Sequence, residues 1–268
     1  MSQKTNHPLY ERFLQRQTKE KRIIKYAQLL IFIGFFLFWE VSSRINWIDP
    51  LIFSSPSRIG KLLADNFING SFWFHMRITI FETLAGFLIG TLIGMILAFL
   101  LWYSKRFAKI IDPYLVVFNA LPKVALGPII IVTLGPGYIS IITLGAIICV
   151  IVTALVIFNG FSSVDQNYLK VLSSFGSTKW QNFTQAVFPA TLPAIISTFK
   201  VNVGLSWVGV IVGEFLVASK GLGYLIVYGF QVFNFTLVLY SLVLIALLAA
   251  LMYQGVAYFE KWLLKKVH

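Results

Sequence analysis

No charged residue interrupts the chain between Phe235 and Phe259, or between Tyr138 and Phe161. A bilayer core takes about 20 apolar residues per helix, so runs of this kind exclude most soluble folds at once. Six stretches meet or approach that length: Ile23–Val41, Ile78–Tyr103, Tyr114–Leu134, Tyr138–Phe161, Ala194–Val217 and Phe235–Phe259. Of the 268 residues, 58% are hydrophobic and only 12% charged, against roughly a quarter charged in a soluble domain. Charge this sparse cannot coat a water-exposed surface. The expected fold class is an all-α membrane protein with six transmembrane helices.

The first span is short and uses Lys25 as a snorkelling anchor. Its basic leader resembles a signal peptide, but "FWEVSSRIN" offers no small-residue cleavage site, and the span reads as a retained helix. The net charge of +12 is unevenly placed. Fifteen of the 22 Lys/Arg fall in the leader, in the segments after spans 2 and 4, and in the tail, whereas five fall after spans 1, 3 and 5. Positive residues stay cytoplasmic during insertion. Both termini and the long loop after span 4 are therefore expected in the cytoplasm, and the basic balance reports topology, with no nucleic acid as partner.

The leader, residues 1–25, is a basic cytoplasmic segment that either lies along the membrane or serves as a disordered retention signal. Between spans 1 and 2, Pro50 and Pro56 mark turns. Ile59, Leu62, Leu63 and Phe67 then give an amphipathic piece, expected to be a surface helix on the outer side.

Within the spans, Gly86, Gly90 and Gly94 share one helical stripe where a neighbouring helix can approach closely. Glu82 lies four residues upstream of that stripe, facing either the bundle interior or the membrane interface. Span 3 is the least regular, with Asn119, Pro122, Lys123, Gly127 and Pro128 inside it. Each proline removes a backbone donor. Freed carbonyls at membrane depth need protein or a watery cavity, so this span reads as a broken, cavity-lining segment or as a kink with Lys123 paired to a carboxylate. Span 5 places Lys200, Gly204, Trp207, Ile211 and Glu214 on one stripe. Its two charges are roughly 21 Å apart along the axis and must find partners on other segments. Asn119, Pro122, Lys123, Trp207 and Glu214 are the candidate translocation-pathway residues.

Nucleotide, metal and catalytic motifs are missing from the sequence: there is no G-x-x-x-x-G-K-[ST], H-E-x-x-H or C-x-x-C. The lone cysteine, Cys149, sits in an apolar run and reads as a small buried hydrophobe. "GLGYLI" at Gly221–Ile226 is a lone G-x-G and reads as a turn. No catalytic residue, metal site or cofactor of its own is expected, so energy for uphill transport must enter from an ion gradient or a partner.

The loop "YLKVLSSFGSTKWQNFTQAVFPATLP", Tyr168–Pro193, is too patterned for a simple connection. Tyr168, Val171, Leu172 and Phe175 form one apolar face of a short helix, opposite Lys170, Ser173 and Ser174. Gly176 can take the left-handed conformation that ends a helix, and Ser177 completes the elbow. Thr178 and Gln181 have capping-box spacing, opening a second helix with Trp180, Phe183 and Val187 on one face. Two short amphipathic helices joined at this elbow are expected, either lying on lipid or offered to a cytoplasmic partner.

A glycine in this loop about 20 residues after a span, followed by Trp180 and "FPATLP", resembles the cytoplasmic loop of bacterial ABC-importer permeases. "NALPKVALGPIII", "LSWVGVIVGEFLVASKGLGYLI" and the six-span layout are similar to the nitrate/sulfonate/taurine branch, over roughly Arg77 to Phe259. The resemblance implies a type I importer permease domain over residues 26–268, with residues 162–193 as its coupling loop. It implies a bacterial cell-membrane location and, as partners, two ATP-binding cassette ATPase subunits, an external solute-binding protein and a second permease copy in a homodimer. ATP and Mg would sit on the ATPase. Tyr168, Lys170, Val171, Leu172, Phe175, Gly176 and Ser177 would form or adjoin the docking surface. The family pattern has Glu-Ala-Ala where this chain has Lys170, Val171 and Leu172, which implies an ATPase groove of different charge.

The resemblance points to import of a small solute by alternating access. A sulfonate, nitrate or taurine-like anion would suit Lys123, and a vitamin-precursor heterocycle is the alternative. An ion-coupled secondary transporter using Glu82 or Glu214 as a proton site is the rival of a different class.

Overall fold

The computed structural model describes residues 8–267. Its elements are α1 (Pro8–Arg44), α2 (Pro56–Asn69), α3 (Ser71–Tyr103), α4 (Lys105–Ala120), a 3-10 turn (Lys123–Leu126), α5 (Gly127–Leu134), α6 (Tyr138–Ser162), α7 (Gln166–Ser174), α8 (Lys179–Asn182), a π turn (Phe183–Val187), α9 (Phe188–Val217), α10 (Leu222–Gln231) and α11 (Phe235–Val267). Residues 1–7 of the basic leader lie outside the described residues. From Pro8 onward the leader continues without a break into the first apolar span.

Four single helices and the continuous rod Lys179–Val217 are long and apolar enough to cross a bilayer, and α4 with the segment Lys123–Leu134 forms a pair bent by 95°. Helix packing shows that this pair is a sixth crossing. A Cβ at Gly86 would meet the Ile142 carbonyl at 3.2 Å, one at Gly90 the Ala146 carbonyl at 2.5 Å, and one at Gly94 the Thr153 Cβ at 2.5 Å. Residue numbers rise together along both helices, so α3 and α6 run parallel. Two parallel neighbours need a return passage between them, which α4 and α5 supply. The chain has an all-α, six-span architecture.

The bundle centre is α3, α6 and α9. α9 lies antiparallel to α6, with Gly209 against Gly145 and Gly213 against Ile141. In hydrocarbon, association rests on close van der Waals packing and interhelical hydrogen bonds more than on the hydrophobic effect. Both are present. Asn202 of α9 donates to Thr91 Oγ1 of α3 at 2.8 Å and to Thr153 Oγ1 of α6 at 2.7 Å. Ser206 of α9 donates to the Thr83 carbonyl at 2.7 Å.

The amphipathic piece before span 2 forms α2, with Ser55 as N-cap and Gly70 ending it in the left-handed conformation. Ile59 is buried with Leu222, Tyr240 and Leu244, flanked by Leu62 and Leu63. This helix therefore packs on the α10–α11 hairpin, while Phe67 and Ile68 near its end are strongly exposed.

Candidate functional site

α7 is held at the end of α6 by Asp165, whose side chain accepts the Asn167 N–H. Along it Tyr168, Val171 and Phe175 are 67%, 56% and 85% exposed, while Leu169 turns inward against Phe161 and Phe183. Lys170 is exposed and Leu172 half-buried. Between α7 and the rod behind it lies a groove of about 1000 Å³, lined in part by Val171, Leu172, Ala186, Pro189 and Ala190. Gly176 takes φ +80°, a left-handed conformation that favours glycine. Ser177 Oγ then meets Asn182 Oδ1 at 2.6 Å. The capping box forms, with Gln181 N–H donating to Thr178 Oγ1 at 3.3 Å and Thr178 N–H to Gln181 Oε1 at 2.8 Å.

The second helix of the elbow differs from expectation. It is no separate interfacial helix, because α8 passes through the π turn directly into α9. The loop was expected to run to Pro193, but Pro189 comes just after the π turn and Pro193 lies inside α9, so the rod carries both prolines without ending. Phe183, inside the π turn, contacts Phe99, Trp102, Phe161, Trp180 and Phe188. The elbow is thus bolted to the ends of α3 and α6 and is continuous with span 5.

The broken span lies apart from this elbow. α4 ends at Ala120, and Leu121 and Pro122 are extended. Lys123 Nζ folds back to donate to the Asn119 carbonyl at 2.9 Å, with Asn119 Oδ1 at 3.4 Å. Its charge thus answers the Asn119 carbonyl at the break, not a carboxylate. Asn119 and Pro122 are exposed and Lys123 half-buried on the protomer surface. Gly127 lets α5 close on Leu216 of α9.

Trp207 and Glu214 are placed elsewhere. Trp207 is buried beside Phe87 and Val203, and its Nε1 has no hydrogen-bond partner. Lys200, on the same helix, pairs with Glu260 of α11. Glu214 is 1% exposed and sits at the opposite end of the bundle from α7. It accepts from Thr79 Oγ1 at 2.6 Å and from the Gly223 N–H at 2.5 Å. Thr79 Oγ1 in turn accepts the Leu222 N–H at 2.8 Å, and His75 Nδ1 accepts the Gly221 N–H at 3.0 Å. The "GLG" stretch is therefore more than a turn, since its three backbone donors, opening α10, are taken up by His75, Thr79 and Glu214 in turn. Gly221 is at φ +110°, and a Cβ there would collide with the Glu214 carboxyl.

Glu82 completes this cluster. α3 begins at Ser71, upstream of the expected span, so Glu82 is well inside the helix and only 1% exposed. The interior alternative holds: its side chain is buried in the bundle beside Glu214. Sequence reasoning missed His75, Thr79, Asn202 and Ser206. Their signal was polar residues recurring on the α3 and α9 faces that turn out to be buried.

Comparison with known proteins gives these features a context. Residues 90–267 match the family profile described as "Binding-protein-dependent transport system inner membrane component". The chain is 28% identical over 231 residues to a Bacillus subtilis protein named as an aliphatic sulfonates transport permease, covering 85% of this chain and 82% of that one. It is 27% identical over 195 residues to a formylaminopyrimidine transport permease of Halalkalibacterium halodurans, covering 73% and 77%. Among solved structures, a chain of a bacterial alginate ABC transporter, crystallised with an alginate-pentasaccharide-bound periplasmic protein, superposes with a TM-score of 0.63 at 15% identity. It covers 92% of this chain and 97% of that one.

Proposed function

The chain belongs to the family of binding-protein-dependent transport system inner membrane components, and from that premise we propose how its parts work. It is a multi-pass cell-membrane protein and the permease subunit of a binding-protein-dependent ABC importer. It works as a homodimer with two ATP-binding cassette ATPase subunits and an external solute-binding protein. ATP and magnesium are held by the ATPases, and this chain itself hydrolyses nothing. The α7 end faces the cytoplasm, as the charge asymmetry directs.

The observation that carries this reading is the exposed apolar face of α7, with Phe175 85% exposed immediately before the Gly176 elbow. Large apolar side chains grouped at a charged, water-facing end mark a protein contact. The ATPase groove receives Tyr168, Val171, Leu172 and Phe175, and it presents no basic residue to Lys170, since like charges there would repel. Closure of the ATPase pair on ATP moves α7. The rigid connection through Ser177, Phe183 and the π turn passes that motion to α9, and the spans alternate between inward- and outward-facing states. Asn119, Pro122, Lys123, Trp207 and Glu214 are the pathway candidates on the spans that move.

The cargo is a small solute. A sulfonate-type anion is the first reading, supported by the relative named for aliphatic sulfonates and by the cationic Lys123 on the broken span. A heterocycle is the second, supported by the relative named for formylaminopyrimidine. Uptake into vesicles without an ion gradient tests the energy source. ATP-dependent accumulation, together with a co-purifying ATPase, is expected. Uptake that follows a proton gradient and ignores ATP would instead make the chain a secondary carrier.

A further inference from the structure

At the end of the bundle opposite α7, a cleft of about 310 Å³ opens between the α5–α6 turn and the α9–α10 connection. Pro136, Gly137, Tyr138 and the stretch Val217–Lys220 line it, and Glu82 stands in its wall. The chemistry at that wall is unbalanced. Glu214 has two donors, the Thr79 hydroxyl and the Gly223 N–H. The Thr79 hydroxyl accepts from Leu222 and has two acceptors within reach, Glu214 Oε1 at 2.6 Å and the His75 carbonyl at 3.3 Å, of which the carboxyl is the nearer. Glu82 has no such support. Its Oε2 is buried with no hydrogen-bond partner, and its other near neighbour is a second carboxyl group. Two carboxylates in contact away from water are not both sustained as anions without a compensating positive charge. Lys220 also lines the cleft, with its ammonium 5.3 Å from the centre of the Phe74 ring.

We propose that Glu82, in the cleft wall with the buried Glu214 behind it, holds one monovalent cation, a proton or an alkali-metal ion, that enters from the cleft. The occupant neutralises the pair and ties α3 to the end of α9. Through the Gly223 N–H on Glu214 it also fixes the start of α10. The other titratable groups around the pair are His75 of α3, Tyr138 of α6, Lys220 of the α9–α10 connection and Tyr224 of α10, which stacks on His75. This inference stands independently of the importer reading, because it concerns the balance of charge inside one protomer.

The test is thermal unfolding of the purified full chain in lipid nanodiscs, in sodium, potassium or choline chloride of equal ionic strength, across mildly acidic to mildly alkaline pH. Glu82→Gln is the matched variant: its amide donates to Glu214 without needing a cation, and it leaves His75 in place. If the occupant is an alkali ion, sodium or potassium raises the wild-type midpoint by several degrees over choline at alkaline pH, and the variant does not respond. If it is a proton, the midpoint falls by several degrees as pH rises whatever the salt, the variant again does not respond, and the wild type shows an infrared carbonyl band of a protonated carboxyl. Identical responses of wild type and variant to salt and pH overturn the proposal. Should Glu82→Gln fail to fold, infrared spectra of the wild type decide. A protonated-carboxyl band, or carboxylate bands that move with sodium or potassium against choline, supports the site, and spectra with neither overturn it.

Discussion

The ring of Phe183 meets the ring of Phe99 edge-on, with centroids 4.8 Å apart and planes at 67°. One residue belongs to the π turn below span 5 and the other to α3, so this contact joins the loop to the bundle. Aromatic pairs in this geometry add about 0.5–1.5 kcal/mol beyond their packing, and truncating a buried Phe to Ala typically costs about 3 kcal/mol or more. Phe183→Ala should therefore lower the unfolding midpoint in detergent. It should also reduce uptake more than Phe183→Leu, which refills most of the volume and loses only the ring geometry.

The parallel packing of α3 and α6 depends on Gly90. A Cβ there would sit 2.5 Å from the Ala146 carbonyl and 2.7 Å from the Cys149 Cβ, whereas one at Gly204 would meet nothing within 4 Å. Gly90→Ala should destabilise by about 1–3 kcal/mol through overpacking. Gly204→Ala should be neutral, or stabilise by up to about 1 kcal/mol through helix propensity. Reversible unfolding of both variants in one detergent gives the comparison.

Lys200 and Glu260 pair between α9 and α11 with both side chains partly covered. Removing either leaves the other uncompensated, so Lys200→Met and Glu260→Gln should each destabilise. The double variant should lose less than the sum of the two. Strict additivity in a double-mutant cycle would mean that the pair contributes nothing.

The spans were legible because long uncharged runs admit few alternatives, and the break in span 3 because Pro122, Gly127 and Pro128 cannot continue a regular helix. The elbow was equally local: Gly176 and the Thr178–Gln181 capping box act over a few residues. Where the outcome depended on distant partners, the sequence left alternatives open. Glu82 and Glu214 meet across 132 positions, and no spacing rule connects them. Span 3 was open between a cavity-lining break and a kink with Lys123 paired to a carboxylate; the span is broken, and Lys123 donates to the Asn119 carbonyl one turn away. The coupling loop was expected to run to Pro193, yet the helix continues through Pro189 and Pro193, with the π turn Phe183–Val187 directly before them.

The left-handed backbone at Gly176, φ +80°, is closed to proline, whose ring holds φ near −65°. Gly176→Pro should leave membrane insertion and helix content unchanged and abolish uptake. Gly176→Asn, which tolerates the left-handed region better than most residues, should retain part of it. Circular dichroism and vesicle uptake on the same preparations check both halves.

Phe175 gives the most direct measurement, because its side chain is 85% exposed and supports nothing within the chain. The permease is expressed with its ATPase, the Phe175→Asp variant is purified, and the ATPase retained per permease is measured alongside the unfolding midpoint. The expected result is an unchanged midpoint, loss of the ATPase and loss of ATP-driven uptake. A variant that keeps its ATPase and transports normally would contradict the assignment of α7 as the surface through which ATP drives this permease.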